Sequence, residues 1–255
     1  MTILLFVVCF AATAQKSNWT LFAGWNQSVG DFAKVDLQVG DWAFNANNST
    51  KGGMGLGVSI GATYRRPLDE INRFSLVLGT DVQYTISNYI VTNNSSGFLV
   101  EARKQFDKAR VVDPSFITVP VMAGLHFETG LKGYRFYIEA QAGLAYRKAT
   151  NRILELSGST TPIEIDGVEL YEYCYTDHFF GSASPAYRFS LGIVENVHWV
   201  FDVGFCYMGD MTIEGYEDFS LNTTTNPANR IQTSMSFTAG HVSPMLVTLK
   251  VGYRL

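Results

Sequence analysis

The stretch that decides the fold is residues 116–147, which reads FITVPVMAGLHFETGLKGYRFYIEAQAGLAYR. Every second residue of positions 117–127 is apolar, and the same alternation resumes over positions 136–146 after a turn with two glycines. Strict period-two alternation predicts two strands, each with one apolar and one polar face. Each strand is about ten residues long, which is the length that crosses a bilayer at a tilt.

The same alternation recurs in six further segments, so the chain is predicted to contain eight strands. They cover residues 18–27, 54–65, 74–86, 116–128, 134–147, 187–193, 199–207 and 245–255. Long connections follow the odd-numbered strands and short ones follow the even-numbered strands, which is typical of an up-and-down barrel in an outer membrane. The sequence therefore predicts an all-β fold, an eight-stranded antiparallel transmembrane β-barrel with four long external loops.

Alternation alone does not separate a membrane barrel from a soluble β-sandwich, because both have one apolar face per strand. The polar faces favour the barrel, since they carry Gly55, Gly57, Gly61, Gly79, Gly124, Gly143, Gly192, Gly204 and Gly252. Glycine weakens a strand on a solvent-facing surface, whereas it makes room inside a narrow eight-stranded barrel. A lipocalin-like soluble barrel fits less well, because its apolar face points inward.

Aromatic residues near the ends of the apolar faces are predicted to form the two interfacial girdles of a membrane barrel. These residues are Trp19, Trp25, Tyr64, Phe74, Phe136, Tyr146, Trp199, Tyr207 and Tyr253.

Because side chains alternate between the two faces of a strand, each position in a predicted strand can be assigned to the lumen or to the exterior, and we call this assignment strand parity. Strand parity places several charged side chains in the lumen. The predicted lumen charges are Arg65, Asp81, Glu139, Arg147, Arg188, Asp202, Lys250 and Arg254. The structural interpretation is a buried ion-pair network that fills the barrel and neutralises itself, because a charge away from water is tolerated only when it is paired. The functional interpretation is a polar track or gate. Eight strands leave too little space for an open channel, which favours the structural interpretation.

The first residues have the pattern of an export signal. Residues 3–14 form an apolar run of twelve, which is too short to span a bilayer as a helix. The run ends in Ala12-Thr13-Ala14, a small-x-small cleavage pattern, so residues 1–14 are predicted as a signal peptide and residues 15–255 as the barrel domain. No Lys or Arg precedes the run, which keeps a buried N-terminal strand as the alternative. No apolar stretch reaches 18 residues, so a spanning chain must close into a barrel.

Composition excludes several functional classes. The chain has 19 Lys and Arg against 23 Asp and Glu, a net charge of -4, which argues against a nucleic-acid partner. Cys174 and Cys206 do not make a disulfide framework. His178 and His198 have no ligand partners at metal spacing, and His126 is predicted to face the lumen. The sequence therefore predicts neither a metal nor a cofactor.

Two segments resemble a known family. Residues 117–124 (ITVPVMAG) followed by residues 134–144 (YRFYIEAQAGL) are similar to the paired strands of the small outer-membrane β-barrel (porin-like) family common in Bacteroidota. Residues 249–255 (LKVGYRL) are similar to that family's terminal strand, although Leu255 stands where the family usually has an aromatic residue. The resemblance implies an outer-membrane location and no particular activity. It also implies that Pro120 lies within a barrel strand, where proline is otherwise disfavoured.

Two of the long connections differ in charge. The third is acidic, with Glu155, Glu164, Asp166, Glu169, Glu172 and Asp177 against Arg152. Such a loop is usually solvated, and nothing in it matches the spacing of a calcium loop. The second is basic, with Arg103, Lys104, Lys108 and Arg110, which suits lipopolysaccharide phosphates or a contact with the acidic loop. Asp166-Gly167 lies between two alternating runs and predicts a hairpin.

His241-Val242-Ser243 is the strongest enzymatic motif. A His-x-Ser pair late in a small outer-membrane barrel resembles the lipid A deacylase family, in which a Ser–His–Glu arrangement cleaves an acyl chain. No Asp or Glu follows Ser243, so the acid that should orient the base is absent at that place.

The sequence thus favours a non-enzymatic barrel of a Gram-negative outer membrane that presents long loops for binding or envelope structure. Its expected partners are outer-membrane lipid, lipopolysaccharide and a surface ligand or envelope protein. The alternatives are a small-solute porin and a lipid A-modifying acyl hydrolase that uses His241 and Ser243.

Overall fold

The computed structural model describes residues 18–30, 54–87, 106–112, 114–131, 133–165, 168–195 and 198–255. The strands are β1 (Asn18–Val29), β2 (Met54–Pro67), β3 (Phe74–Ser87), β4 (Lys108–Val112), β5 (Phe116–Leu131), β6 (Tyr134–Ala149), β7 (Arg152–Ser157), β8 (Ile163–Ile165), β9 (Val168–Leu170), β10 (Glu172–Phe179), β11 (Ser182–Glu195), β12 (Trp199–Tyr207), β13 (Met211–Asn222), β14 (Ile231–Val242) and β15 (Met245–Arg254). A short 3-10 helix, Pro227–Asn229, lies between β13 and β14. No helix in the described ranges is long and apolar enough to cross a bilayer.

Eight of these strands form a closed barrel in the order β1-β15-β12-β11-β6-β5-β3-β2. Closure is made by β1, whose Leu21 is opposite Tyr253 on one side and opposite Ala62 on the other. Every neighbouring pair is antiparallel. The predicted eight-stranded antiparallel barrel is therefore confirmed. The largest difference in a boundary is at the sixth barrel strand, which begins at Ser182, so the third long connection is correspondingly shorter.

The outer surface of the barrel is apolar around its circumference. Along β15, Leu249 is 51% exposed and Val251 and Tyr253 are also exposed, whereas Thr248 and Lys250, which alternate with them, are buried. A soluble sandwich would press such apolar faces together, but here they all point away from the lumen. A continuous apolar belt of this kind is the surface that a bilayer-spanning barrel presents to lipid.

Inward-facing glycines leave room for two aromatic rings that lie against the inner side of the barrel wall. A Cβ atom on Gly192 would lie 2.2 Å from the ring of Tyr137, and one on Gly252 would lie 2.5 Å from the ring of Phe22. Tyr137 and Phe22 pack with Val194 and Val200 in a buried cluster. Any side chain at either glycine would displace a ring from this cluster, because small barrels have little spare interior volume.

Pro120 lies within barrel strand β5, opposite Ala145 of β6. On its other side, the pairing of β3 with β5 runs from Phe74 to Thr80 and resumes at Gln83, so the ladder is interrupted beside the proline. Proline has no N–H to donate to a ladder. Because Pro120 cannot donate a hydrogen bond to β3, the ladder is interrupted at Asp81 and Val82, the β3 residues beside the proline.

The long connections contain strands of their own. A five-stranded sheet has the order β14-β13-β10-β7-β4, and we call it the outer sheet. Its order repeats that of barrel strands β15-β12-β11-β6-β5, so each of its strands continues the adjacent part of the barrel wall. The third and fourth connections are long, as predicted, but most of their residues form strands, and the described part of the second connection contains β4. The sequence signal was weaker there, since polar residues interrupt the apolar alternation.

The hairpin predicted at Asp166-Gly167 is confirmed, because β8 and β9 pair antiparallel on either side of these two residues. The predicted signal peptide, the first long connection, and Arg103 and Lys104 of the second lie outside the described residues.

Candidate functional site

The centre of the lumen holds a three-strand ion cluster around Asp81. Arg188 donates from Nη2 to both carboxylate oxygens of Asp81, at 2.9 and 3.0 Å. The Nζ atom of Lys250 also donates to this carboxylate, as does the side-chain amide of Gln83 at 3.2 Å. All four side chains are buried. One carboxylate therefore holds two cations from different parts of the wall.

A second cluster lies at the end of the barrel where the short turns join the strands. The guanidinium of Arg65 donates to Oε2 of Glu139 at 3.1 and 3.2 Å. The two ring nitrogens of His126 lie 3.0 Å from Glu139 and 3.1 Å from Glu128. Glu128 also accepts a hydrogen bond from Arg254 at 2.9 Å. We call this group the turn-end cluster.

The partners in these clusters come from strands that are far apart around the barrel. Asp81 on β3 is three strands from Arg188 on β11 and three strands from Lys250 on β15. Glu128 on β5 and Arg254 on β15 are four strands apart, which is the full width of an eight-stranded barrel. These three ion pairs consequently cross the lumen rather than following its wall.

The other two predicted lumen charges are buried but have different partners. Asp202 accepts a hydrogen bond from the Tyr137 hydroxyl at 2.7 Å. Arg147 donates to the carbonyl of Met208 at 2.9 Å and to the hydroxyl of Ser184. Among the described residues, no carboxylate forms an ion pair with Arg147. The expected self-neutralising network therefore does not extend to this arginine.

Apolar side chains fill the lumen toward the outer sheet. The buried cluster there includes Phe116, Met122, Phe179, Met208 and Leu246. Phe116, Met122 and Leu246 are among the side chains that alternation along the predicted strands places inward, whereas Phe179 and Met208 lie in the predicted connections. The sequence reasoning stressed inward charges and missed this apolar layer. The lumen is thus closed by ion clusters at two levels and by packed hydrocarbon above them.

Sequence reasoning also omitted Glu128 and Arg135 from the predicted charges, although strand parity could have indicated Glu128. Glu128 is buried and Arg135 donates to it from Nη1 at 2.7 Å.

The predicted girdle residues lie on the exterior of the barrel. Trp19 contacts Tyr64 with ring centroids 5.2 Å apart, and Trp199 contacts Tyr253 with centroids 5.4 Å apart, all at the short-turn end. Phe74 and Phe136 begin strands at that same end, while Tyr146 and Tyr207 lie near the outer sheet. Trp25 is exposed on β1. A girdle function for these aromatic residues remains a prediction.

The outer sheet has two different faces. One continues the lumen and buries Leu154, Leu156 and Phe179. The other is polar and contains a shallow groove of about 470 Å³. Thr176, Asp218, Ser220, Gln232 and Ser234 are among the residues that line this groove.

Ion pairs join the strands of the outer sheet. Arg152 pairs with Asp177 at 2.6 Å within the third connection. Arg230 pairs with Glu172 at 2.6 Å and ties the fourth connection to the third. The Glu172 carboxylate raises the pKa of Arg230 through hydrogen bonding and charge.

The expected contact between the basic second connection and the acidic third one is present, because β4 pairs with β7 and Arg110 is opposite Glu155. Cys174 lies opposite Glu155 on the next strand. Burial, and then the negative charges of Glu172 and Glu155, raise the pKa of the Cys174 thiol. Burial likewise raises the pKa of the Tyr175 hydroxyl, with a further contribution from its hydrogen bond with Asp177.

Strand β14 forms one edge of the outer sheet. It pairs with β13 on one side, and within the described part of the chain no strand pairs with its other side. Residues 231–236 are all exposed. Residues 231–240 contain neither proline nor a charged side chain. These are features that exposed edge strands usually avoid.

The enzymatic motif lies where β14 meets β15. The hydroxyl of Ser243 donates directly to the carboxylate of Asp210, so an acid does lie beside the serine. The backbone of His241 is opposite Thr212, while its side chain is outside the described residues. A hydrolytic triad places the histidine between the hydroxyl and the acid. A direct Ser243–Asp210 bond is a different arrangement.

Over the described ranges, no group of three or more His, Cys, Asp or Glu residues could hold a metal ion.

Comparison with known proteins found similar structures only. No family model and no curated protein matches the chain. The structure is similar to Ail, the attachment invasion locus protein of Yersinia pestis, with 13% sequence identity, a TM-score of 0.42, and coverage of 94% of this chain and 100% of that one. It is also similar to the outer membrane protein OprG from Pseudomonas aeruginosa, with 12% identity, a TM-score of 0.40, and coverage of 94% and 96%. The fold assignment rests on the strand pairing described above.

Proposed function

We propose that this protein is a non-enzymatic outer-membrane β-barrel of a Gram-negative bacterium, exported by a cleaved signal peptide, that binds extended polypeptide at the cell surface. The observation that carries the proposal is the uncharged edge of β14, with which no further strand of the described residues pairs. An extended segment that adds a strand to an exposed sheet edge gains a row of main-chain hydrogen bonds.

A rigid barrel holds this edge in place. The strands β13 and β14 follow β12 and precede β15 with only a few intervening residues, so the outer sheet continues a closed wall. Binding residues are commonly carried on segments that a stiff scaffold positions. Long strands without charge are avoided on unprotected edges because they recruit other strands. The presence of such an edge in this protein supports a binding role.

The apolar belt on the exterior of the barrel is suited to contact outer-membrane lipid. Arg110 and Lys108 lie in β4, at the opposite edge of the outer sheet from β14. Lipopolysaccharide phosphates are the anions that such basic residues would meet beside an outer membrane. The proposed partners are therefore lipid around the belt, lipopolysaccharide near β4 and polypeptide at β14.

The porin alternative is less well supported, because ion pairs such as Asp81–Arg188 and Glu128–Arg254 cross the lumen. An open path would require these buried pairs to separate, which is costly. We expect no conductance steps from the purified protein in planar lipid bilayers. Reproducible steps would support the porin alternative instead.

A random dodecapeptide library displayed on phage tests the binding proposal. The protein is held in nanodiscs, and we expect panning to enrich β-branched and aromatic sequences that bind as extended strands. A double variant, Thr233→Lys with Met235→Lys, adds charge to β14 and should abolish binding of the enriched peptides, because lysines on an edge oppose strand addition.

The control variant is Thr223→Lys with Thr225→Lys, which adds the same charge to the exposed turn between β13 and β14. It should bind the enriched peptides as the unmodified protein does. Failure to enrich any peptide, or equal binding by both double variants, would contradict a role for the β14 edge.

A further inference from the structure

A cavity opens at the short-turn end of the lumen, on the opposite side of the protein from the outer sheet. Its volume is about 250 Å³, several times the ~30 Å³ that one water molecule occupies in the liquid. The ionisable residues that line it are Arg65, His126, Glu128, Arg135 and Arg254. In outer-membrane barrels the short turns face the periplasm, so this cavity would open there.

Positive charge exceeds negative charge around this cavity. Arg65, Arg135 and Arg254 supply three guanidinium groups, while the turn-end cluster contains two carboxylates, those of Glu128 and Glu139. Glu139 is bound to Arg65, and both remaining arginines share Glu128. A buried charge without a full partner is costly. An anion in the cavity would supply the missing negative charge.

Two arginines that line the cavity each have one guanidinium nitrogen without a hydrogen-bond partner among the described residues. The Nε atom of Arg254 and the Nη2 atom of Arg135 are both buried and unpaired. Arg254 is only 6% exposed, and its Nη2 atom is occupied by Glu128. Nearly all buried polar groups in folded proteins are paired, so two unpaired guanidinium donors at one cavity need an explanation. Arginine N–H groups match the oxygens of phosphate and carboxylate ions particularly well.

We infer that this cavity binds an oxyanion of the phosphate type, held by Arg135 and Arg254. The same chemistry is offered by a soluble phosphate of the periplasm and by the phosphate of a phospholipid headgroup at the rim of the barrel. The inference is independent of the binding role assigned to β14, which lies at the other end of the molecule.

Titration with inorganic phosphate tests the inference. The full protein is prepared in an alkyl maltoside, which contains no phosphate, and the arginine Nε–H signals are followed by NMR at constant ionic strength. We expect saturable shifts of the Arg254 and Arg135 signals. Arg135→Gln should weaken phosphate binding at least about tenfold, the effect of losing one charge-assisted hydrogen bond. Arg135 is partly exposed at the barrel end, so this variant should still fold.

The matched control is Arg66→Gln. Arg66 is next to Arg65 in the same strand but is exposed on the outside of the barrel. This variant should bind phosphate within about twofold of the unmodified protein, since a surface charge contributes little at such a distance. Absence of saturable shifts in maltoside, or equal weakening by both substitutions, would overturn the inference.

The same titration in phosphatidylcholine nanodiscs identifies the source of the anion. If a lipid headgroup occupies the cavity, inorganic phosphate will bind much more weakly in nanodiscs than in maltoside. If the natural ligand is a soluble phosphate, the affinity will be the same in both. Either result following saturable binding in maltoside supports the oxyanion site.

Discussion

The Nη2 atom of Arg188 lies 2.9 and 3.0 Å from the two carboxylate oxygens of Asp81, although 107 residues separate them in the sequence. The two residues face each other across the lumen, and Lys250 reaches the same carboxylate from a third strand. Asp81 thereby connects three strands that are not neighbours in the barrel wall. This carboxylate should be a principal determinant of barrel stability.

Replacing Asp81 with asparagine tests this role. Asp81→Asn leaves Arg188 and Lys250 buried without their carboxylate, and breaking a buried pair in this way costs about 3–5 kcal/mol. We expect the free energy of unfolding, measured by urea titration of the protein in lipid vesicles, to fall by this amount. Glu195→Gln is the control, because Glu195 lies at the barrel end and its contact with Tyr134 is exposed. A similar loss in both variants would argue against a special role for Asp81.

The direction in which side chains face predicts a mutational asymmetry. Leu56 and Val251 are exposed on the outside of the barrel, whereas Ser59 is buried in the lumen. Leu56→Arg and Val251→Arg should each cost roughly 2–4 kcal/mol near the bilayer midplane. Ser59→Thr adds one methyl group and should be far milder. Assembly is measured by the heat-modifiable shift in gel mobility, and equal assembly of the three variants would contradict the assignment of faces.

The acyl hydrolase alternative depends on Ser243. Because its hydroxyl donates directly to Asp210, we expect Ser243→Ala to leave lipid A unchanged. Mass spectrometry of lipid A from cells that carry the unmodified gene, the variant or no gene gives the answer. Loss of one acyl chain with the unmodified gene alone would establish hydrolysis and contradict the non-enzymatic proposal.

The thiol of Cys174 should react slowly at moderately alkaline pH. Burial and the negative charges of Glu172 and Glu155 raise its pKa, so the thiolate forms at higher pH than in free cysteine. Iodoacetamide alkylation, measured in a Cys206→Ala background, should therefore follow a pH profile displaced to higher pH. Glu155→Gln removes one of these charges and should move the profile back toward lower pH. An unchanged profile in Glu155→Gln would show that this carboxylate does not affect the thiol.

The barrel could be predicted from the sequence because its strands repeat one simple pattern. Residues 136–146 alternate strictly, and lipid on one side and a closed lumen on the other enforce that alternation in every barrel strand. Parity likewise placed Asp81 and Arg188 inside. It did not identify their partners, because pairing across a lumen depends on register and on the stagger of the strands.

The outer sheet and the turn-end cavity were not predicted. The strands of the outer sheet face water on one side, so residues such as Asp218 and Ser234 interrupt the apolar pattern that marks a barrel strand. The cavity depends on where Arg135 and Arg254 meet, and these residues lie at strand ends that are far apart in the sequence. Neither feature has a local signature.

Whether lipid covers the apolar side of the barrel is tested most directly by nitroxide labels at Leu191, Val203 and Leu249. These residues are neighbours in one row across β11, β12 and β15, and all are exposed. Each is replaced singly by cysteine in a background without Cys174 and Cys206, and the labelled protein is studied in lipid vesicles by electron paramagnetic resonance. We predict high accessibility to oxygen, which dissolves in lipid, and low accessibility to a water-soluble nickel chelate. Low accessibility to both reagents, or high accessibility to the nickel chelate, would contradict a lipid-facing barrel.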